Sequence, residues 1–441
     1  AAATVTTIDA SGVATATTFE PDGDTSAGDN AAMGYTSVLG AILTGQGSTN
    51  DVTLVNDADA TVLGIPTGTT NVTIAGTLAV TGGITGVTSL NSGQIGGRRS
   101  IIYNGEMKVA QRSTSETGLG AASGYFTTDR WGIAVGAASA GRFTMAQIAD
   151  GPAGFANCTK LSCTTADTSI AAGEGLRFRQ KFEGQDLQQI KKGTASAEQL
   201  TISFWVKGNA TATYVAELYD NDNGRQISKS FAVTTSWAKI TLLIPADTTG
   251  AFGDDNAASL ELDLWLHAGS TYTSGTLNSS AWAAAVSANR AVGISSIFDA
   301  TSRTFFITGV QMEIGATASE FESRTYGEEL ALCQRYYYLV AAGDAEAITN
   351  ANYYSSSQVQ GVVTFPTTMR STPSLDQTSG SGYYETSSNS NNNLLDDFVI
   401  NNAYTTGAVI YNNTDASGTA GHGAVLRTSD ASAHLAFTAE L

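Results

Sequence analysis

The sequence predicts an all-β protein, and three observations carry that prediction. Charged residues make up only 14% of the 441 positions. Their place is taken by Gly, Ala, Ser, Thr and Asn, a composition of strands and polar turns rather than amphipathic helices. Apolar and polar residues alternate in many short runs, and clusters of Gly, Asn and Asp separate those runs. The predicted architecture has three parts. An elongated, intertwined N-terminal β stalk with a neck fills residues 1–97. An antiparallel jelly-roll β-sandwich fills 98–326, and a smaller C-terminal β tip domain fills 327–441.

The stalk segment is uniform in composition. It holds eight acids (Asp9, Glu20, Asp22, Asp24, Asp29, Asp51, Asp57 and Asp59) and no basic residue before Arg98. DVTLVND, NVTIAGTLAV and GITGVTSL read as short strands. Their side chains are small, so one copy buries too little apolar surface and leaves sheet edges open. Three chains wrapping together would close those edges. GGITGVTSLNSGQIGG reads as the neck.

All five tryptophans (Trp131, Trp205, Trp237, Trp265 and Trp282) lie in the next segment, where alternation sharpens. In LTISFWVKG, Leu200, Ile202, Phe204 and Val206 share one face. In SLELDLWLHAG, Leu260, Leu262, Leu264 and Leu266 oppose Glu261, Asp263, Trp265 and His267. In LRFRQKFEG, Leu176, Phe178 and Phe182 oppose Arg177, Arg179 and Lys181. These predict half-buried strands with one wet face. GEELALCQRYYYLV, Gly327 to Val340, predicts a helix with Leu330, Cys333 and Tyr337 on one stripe. Beyond it, NYYSSSQVQGVVTF reads as strand, while FPTTMRSTPSL and SGSGYYETSSNSNNNLLDDF read as loops.

Charge and motifs exclude several classes of function. The net charge is −18, of which the first 97 residues supply −8 and the remainder −10. Without a basic patch, nucleic acid and anionic membranes are not expected partners. No run of about eighteen apolar residues predicts a transmembrane helix, and the opening AAATVTTIDA lacks the charged start of a signal peptide. Cys158, Cys163 and Cys333 are odd in number and badly spaced for a disulfide framework. With His267, His422 and His434 scattered, no zinc site and no cofactor is expected. YDNDNGRQ, residues 219–226, has calcium-loop acids but lacks the closing Glu, and Asn223-Gly224 reads as a hairpin turn. Nucleophile-elbow, phosphate-loop and zinc-protease motifs are missing. The acid pairs Asp254/Asp255 and Asp396/Asp397 suit glycoside hydrolysis only by number. The expectation is a protein without enzymatic activity.

GQIGGRRSIIYNGEMKVAQRS, with Asp129-Arg130-Trp131 downstream, resembles the start of a module of bacteriophage tail fibres and related prophage proteins. The matching positions are Asn104, Gly105, Glu106, Met107, Gln111, Arg112 and Asp129–Trp131. FEGQDLQQI, TISFWVKG, GVQMEIGATASEFESR, ELALCQRYYYL and FPTTMRSTPSL follow in the family's order, with Ser319 where the family often has Pro. The resemblance covers roughly residues 93–441. It implies a homotrimeric fibre in the virion tail, extracellular. Its distal sandwich domains, often similar to carbohydrate-binding modules, would bind a host cell-surface glycan for adsorption. The N-terminal region would attach to other virion tail proteins. A virion decoration or structural fibre without receptor role is the alternative, and a polysaccharide depolymerase tailspike a weaker one, since long β-helix repeats are missing.

Two groups of residues are candidates for glycan binding. Trp205 and Trp265 sit on the polar faces of their strands, with Glu261 and Asp263 beside Trp265 as hydrogen-bond partners for a stacked sugar. The same tryptophans would also suit packing beneath a loop or against a neighbouring subunit. Tyr353, Tyr354, Tyr383 and Tyr384 lie among Ser, Gly and Asn, a mixture suited to adaptable recognition but equally to ordinary strands. Arg335-Tyr336-Tyr337-Tyr338 is expected to pack the junction between sandwich and tip.

Overall fold

The computed structural model describes residues 18–19, 32–38, 40–45, 48–78, 98–388 and 392–441. The chain divides into two compact units, Ala1–Val87 and Thr88–Leu441. GITGVTSL and the expected neck lie outside the described residues.

The first unit contains two small antiparallel sheets. One is built from Thr18–Phe19, Ala32–Thr36 and Gly40–Thr44, the other from Asn50–Val55, Thr61–Pro66 and Thr73–Ile74. Asn56 shapes the hairpin turn of the second sheet: its Oδ1 accepts from the amides of Ala58 and Ala60, both at 3.0 Å. Among the described residues of NVTIAGTLAV, Thr73–Ile74 form a strand. Leu43, Leu54, Val55 and Val62 of this unit stand exposed.

In the second unit the alternating runs form an antiparallel β-sandwich of jelly-roll type. Its six-stranded sheet runs, in spatial order, Ala238–Ile244, Leu200–Gly208, Thr304–Ile314, Cys158–Thr165, Arg142–Ile148 and Ser115–Leu119. Its seven-stranded sheet runs Ala283–Ala284, Arg225–Val233, Ala212–Asp220, Ala258–Ala268, Gly175–Glu183, Gly132–Val135 and Gly124–Tyr125. Leu200, Ile202, Phe204 and Val206 from one sheet meet Phe178, Phe182, Leu260, Leu262 and Leu264 from the other in one core. Each such side chain contributes about 1.5–3 kcal/mol on leaving water. YDNDNGRQ is the expected hairpin: Asp220 pairs with Arg225 across the turn, Gly224 takes φ 59°, and Asp220 is held by Lys192 at 2.6 Å. All three cysteines are buried free thiols.

Three expectations are corrected. SGSGYYETSSNSNNNLLDDF is not one loop, since Tyr384–Ser387 and Asn393–Leu395 are strands. The helix spans Tyr326–Gln334, opened by a capping box in which Thr325 and Glu328 satisfy each other's backbone amides. It stops before the tyrosines, and Tyr337–Ala342 is a strand. Consecutive aromatic and β-branched residues fit a pleated surface better than a helix. The polar face of Ser259–Ala268 is not wet, because every residue there is buried. Tyr272, Leu277, Ala291 and Ile294, from the long connection after Ala268, pack with Trp265 and Val215 in a second apolar cluster over that face.

The C-terminal part has its own core, including Tyr353, Val359, Val363, Phe365, Ile410, Leu426 and Phe437. A three-stranded sheet runs Tyr337–Ala342, His434–Thr438, Ser374–Gln377. A seven-stranded sheet runs Asn393–Leu395, Tyr384–Ser387, Gly423–Thr428, Ala347–Ser355, Gln358–Thr364, Gly407–Asn412 and Val399–Tyr404.

The Asn-Gly and Asp-Arg-Trp segments of the resemblance meet the Arg-Tyr-Tyr-Tyr run where this part meets the sandwich. Asn104, at φ 52°, donates through Nδ2 to the carbonyls of Val109 (2.8 Å) and Asp129 (2.9 Å), and its own carbonyl accepts from Trp131 Nε1 at 3.1 Å. Gly105 lies so close to the Val310 carbonyl that an added Cβ would sit 2.1 Å from the oxygen. Gln111 Nε2 donates to the carbonyl of Tyr337 at 2.8 Å. The Arg130 guanidinium stacks 3.4 Å over the Tyr336 ring and pairs with Glu440, while Arg112 stacks 3.6 Å over Tyr337. Arg335 grips Glu183 at 2.8 and 2.6 Å, and the Tyr336 hydroxyl donates to the same carboxylate. The motif and the Arg-Tyr-Tyr-Tyr run therefore fasten the two β parts together, as expected for the latter.

Candidate functional site

Of the eight candidate glycan-binding residues, the structure leaves only Tyr354 well exposed, at 68%. Trp265 is fully buried. Its Nε1 donates to Glu217 at 2.7 Å, and its ring lies 4.8 Å from that of Tyr272 and 4.8 Å from the Arg177 guanidinium. It cannot act as a stacking platform because the connection after Ala268 covers it. Glu261 and Asp263 are buried beside it, consumed by ion pairs. Arg179 binds Asp263 at 2.5 Å and Glu261 at 2.7 Å, Arg177 reaches Asp263 at 3.3 Å, and Arg290 lies 3.8 Å away. Burial pushes Asp263 up, but Arg179 and Arg177 outweigh it and hold the carboxyl below its ordinary range. Burial and the neighbouring Asp263 push Glu261 the other way, up. Trp205 is half-buried at a β-bulge, over Gly309 at φ 62°.

In the tip Tyr353 and Tyr354 obey strand alternation, in which neighbours face opposite ways. Tyr353 points into the core, its hydroxyl bonded to Thr386 (3.0 Å) and Asn393 (2.8 Å), while Tyr354 points out. Tyr384 is fully buried, its hydroxyl donating to the carbonyl of His434 at 2.6 Å, and Tyr383 is half-buried against the same core. Tyr353 and Tyr384 therefore hold the fold and are withdrawn from any surface. The acid pairs serve turns: Asp255 accepts from the Ala257 amide at 3.0 Å and Asp396 from Gly382 at 2.9 Å. Among the described residues no group of three or more His, Cys, Asp or Glu is arranged to hold a metal.

Two open surfaces emerge that the tyrosine and tryptophan clusters did not single out. The first is the outward face of the seven-stranded tip sheet. Cross-strand register aligns Val362 with Val409, Thr364 with Gly407, and Gln360 with Tyr411. The next strand places Tyr404 beside Gly407 and Asn402 beside Val409. Tyr404 is 69% and Val362 63% exposed. Two adjoining hollows of about 390 and 350 Å3 share Val362 and Val409. The first adds Thr364, Asn402, Tyr404 and Thr406, the second Asn350, Asn352 and Gln360. No Asp, Glu, Lys or Arg occurs in residues 347–369 or 398–414, which build four of these strands. That charge-free alternation was the available sequence signal.

The second surface is a trough of about 460 Å3 on the sandwich, lined by Tyr125, Gly132, Ala134, Arg177, Arg179 and Lys181 among others. Strand register sets Arg177 opposite Ala134 and Arg179 opposite Gly132, with Tyr125 paired to Gly132 beyond. The cations are the polar face of LRFRQKFEG. The partners with small side chains, which open the trough, come from a strand some 40 residues earlier in the chain.

No family model matches the chain, and no curated protein matches it. Among solved structures, the enzymatically active domain of tailspike protein 4 of bacteriophage CBA120 aligns with 49% of this chain at 13% identity and a TM-score of 0.25, and the alignment spans only 21% of the tailspike chain. A family 11 carbohydrate-binding module of a Clostridium thermocellum cellulosomal cellulase aligns with 47% of the chain at 12% identity, over 99% of the module, with a TM-score of 0.24. The CBM22-1 xylan-binding domain of Paenibacillus barcinonensis Xyn10C aligns with 52% at 12% identity, over all of that domain (100%), with a TM-score of 0.25. Likeness at this level assigns no function to the chain.

Proposed function

We propose that this chain is a structural virion fibre protein, a homotrimeric phage tail fibre whose distal β domains hold host-surface glycans during adsorption. The observation that carries the glycan reading is the charge-free stretch of the tip sheet's outward face, across the four strands within residues 347–369 and 398–414. In a chain of net charge −18, this face offers Tyr404 as a ring for sugar C–H groups, and Asn350, Asn352, Gln360, Asn402 and Thr364 as partners for hydroxyls. Binding there removes no ion from water, so a neutral saccharide faces no large desolvation cost. Each site would be weak. Three per fibre and several fibres per particle would make attachment firm through avidity. The fibre identity rests on the ordered motifs from Asn104 to Pro373, and the N-terminal region is the proposed attachment to other tail proteins. In this reading nothing covalent happens and the protein is not an enzyme.

The test is binding of the intact chain to a panel of immobilised neutral bacterial surface polysaccharides, with molar mass measured by light scattering. Expected is a trimer that binds at least one polysaccharide, is competed off by the soluble form, and weakens at least tenfold with Tyr404→Ala. A monomer would remove the self-assembling fibre, and a trimer that binds none would remove the receptor role. The second reading, a structural fibre without receptor role, draws on Val362, Leu394 and Val399, which stand exposed on the tip and would suit cover by a neighbour.

A further inference from the structure

We propose that the trough on the seven-stranded sheet of the sandwich is a second binding site, separate from the tip face, for an anionic saccharide bearing carboxylate or sulfate groups. Arg177, Arg179 and Lys181 occupy alternate positions of one strand and so present three cations on one face within five residues. The chain has only 22 basic residues in all, so this density is unusual for it. Two carboxylates, Glu261 and Asp263, answer the three cations from the neighbouring strand. Their use is uneven. Arg179 is saturated by both acids, with Nε to Asp263 at 2.5 Å and Nη2 to Asp263 and Glu261 at 2.8 and 2.7 Å. Arg177 spends one Nη1 contact at 3.3 Å, and its buried Nε has no hydrogen-bond partner. Lys181 keeps only a long ion pair to Glu261 at 3.9 Å. Burial pulls the Lys181 ammonium below the ordinary lysine range, against the opposing pull of Glu261. An anion seated in the trough would give the half-exposed Lys181 ammonium the close partner it lacks.

The rest of the trough argues for a sugar rather than a bare ion. Its volume, about 460 Å3, far exceeds one oxyanion and fits the range of small-molecule sites. Tyr125 walls the side opposite the cations. Its ring packs against Gly132, where an added Cβ would come within 3.1 Å of a ring carbon, and its hydroxyl donates to the carbonyl of Leu441 at 3.4 Å, another residue of the lining. The glycine is thus what lets the aromatic wall lie against the sheet, and Ala134 continues a low floor toward Arg177. A pyranose resting its C–H face on Tyr125 and Ala134 would direct its acidic substituent at Lys181 and Arg177.

The experiment is calorimetric titration of the full chain with three probes: oligogalacturonate, a sulfated galactose oligomer, and an unsulfated galactose oligomer of equal length. Each titration is repeated at two salt concentrations. Running it also in full-length Tyr404→Ala separates the trough from the tip face, so either proposal can fail alone. Expected is binding of at least one acidic oligomer, at least tenfold tighter than the neutral one and weakened by salt. Lys181→Gln, which removes one solvent-reaching charge without emptying the core, should cost at least tenfold for the acidic probe. Tyr125→Ala should weaken both acidic oligomers. Equal affinity for neutral and acidic oligomers would overturn the proposal, as would binding unmoved by Lys181→Gln. Inorganic sulfate binding as tightly as the oligomers would reduce the trough to a simple anion site, and no binding of either acidic oligomer would end it.

Discussion

Two sheet faces of this molecule invite comparison. Both belong to seven-stranded antiparallel sheets and both read as polar in the sequence. The sandwich face around Asp263 is rich in charge and carries Trp265, yet Trp265 lies under the connection after Ala268 and the carboxylates of Asp263 and Glu261 are taken up by cations of the neighbouring strand. The tip face around Val362 has no charge at all, yet it remains open. Polarity by itself therefore does not mark exposure. Charges on adjacent strands can satisfy one another across the ladder and then be roofed over. A face of amides, hydroxyls and valines has no such internal partners, and its polar groups are served by water or by a ligand.

The sharpest way to break this comparison is at Asp263. Its side chain is fully buried and accepts from Arg179 and Arg177 with Arg290 nearby. Asp263→Ala would leave cations without their counter-charge and should destabilise the sandwich by about 3–5 kcal/mol. All five tryptophans lie between residues 131 and 282, so denaturant unfolding followed by tryptophan fluorescence reads the sandwich directly. A loss below about 1 kcal/mol would mean that the charged face is not sealed.

The junction gives the next largest effect, with a sign that depends on pH. Burial raises the Glu183 carboxyl, but the hydrogen bonds from Arg335 and Tyr336 outweigh it and hold the group below its ordinary value of 4.5. A carboxylate held low contributes stability above that value and loses it as pH falls through the folded value. Asp129 is opposite: burial pushes it up to about 6 from 3.8, against Arg112 and Gln111. Its contribution is complete below 3.8 and is lost as pH rises through about 6. Below 4.5 the Glu183 loss begins and above 3.8 the Asp129 loss begins, so the junction should be firmest around pH 3.8–4.5 and weaken as pH rises toward about 6. Glu183→Gln should cost about 2–3 kcal/mol at neutral pH. The gap in melting temperature between native chain and variant should close as pH drops below 4.5, and a gap independent of pH would remove Glu183 from the latch.

A smaller effect is expected at Trp265→Phe. It keeps an aromatic ring over Tyr272 but deletes the donor to Glu217, whose carboxylate retains Arg290 at 2.8 and 2.9 Å. The expected cost is about 1–2 kcal/mol in the same unfolding measurement, with no change in glycan binding. Altered glycan binding would return Trp265 to the surface role that its strand position suggested.

What was legible in the sequence follows from the range of the interactions. The apolar alternation of Leu200–Val206 and Leu260–Leu266 was legible because the partner of each apolar face is simply the opposite sheet. The Asn223-Gly224 turn was legible for the same local reason. The covering of Trp265 was not, because residues 269–297 carry no strong periodicity that says which face they will cross. The helix was overextended into Tyr336–Val340 because its cap is local while its end is set by pairing with His434–Thr438, about a hundred residues away. The Asn104 and Asp129–Trp131 motif was visible as a resemblance. Its mechanical role was hidden, since Tyr336 and Glu440 stand more than 200 positions further on. Tyr404 escaped notice because a lone tyrosine is unremarked where paired ones compete, although the missing charge across 398–414 was there to read.

Tyr404 also supplies the smallest expected stability effect. It sits on the edge strand Val399–Tyr404, exposed, its ring lining a hollow with Asn402, Thr406 and Val409. Removing an exposed ring that touches little should change stability by no more than about 0.5 kcal/mol. The same ring offers the largest aromatic area on that face for a sugar, so Tyr404→Ala should weaken saccharide binding by tenfold or more while unfolding stays where it was. That dissociation of binding from stability is the reverse of what Asp263 and Trp265 should show. If Tyr404→Ala instead destabilised the tip or changed the molar mass of the assembly, the charge-free face would be a contact between copies of this chain. Its lack of charge would then answer the repulsion between chains that each carry −18 rather than the chemistry of a neutral glycan.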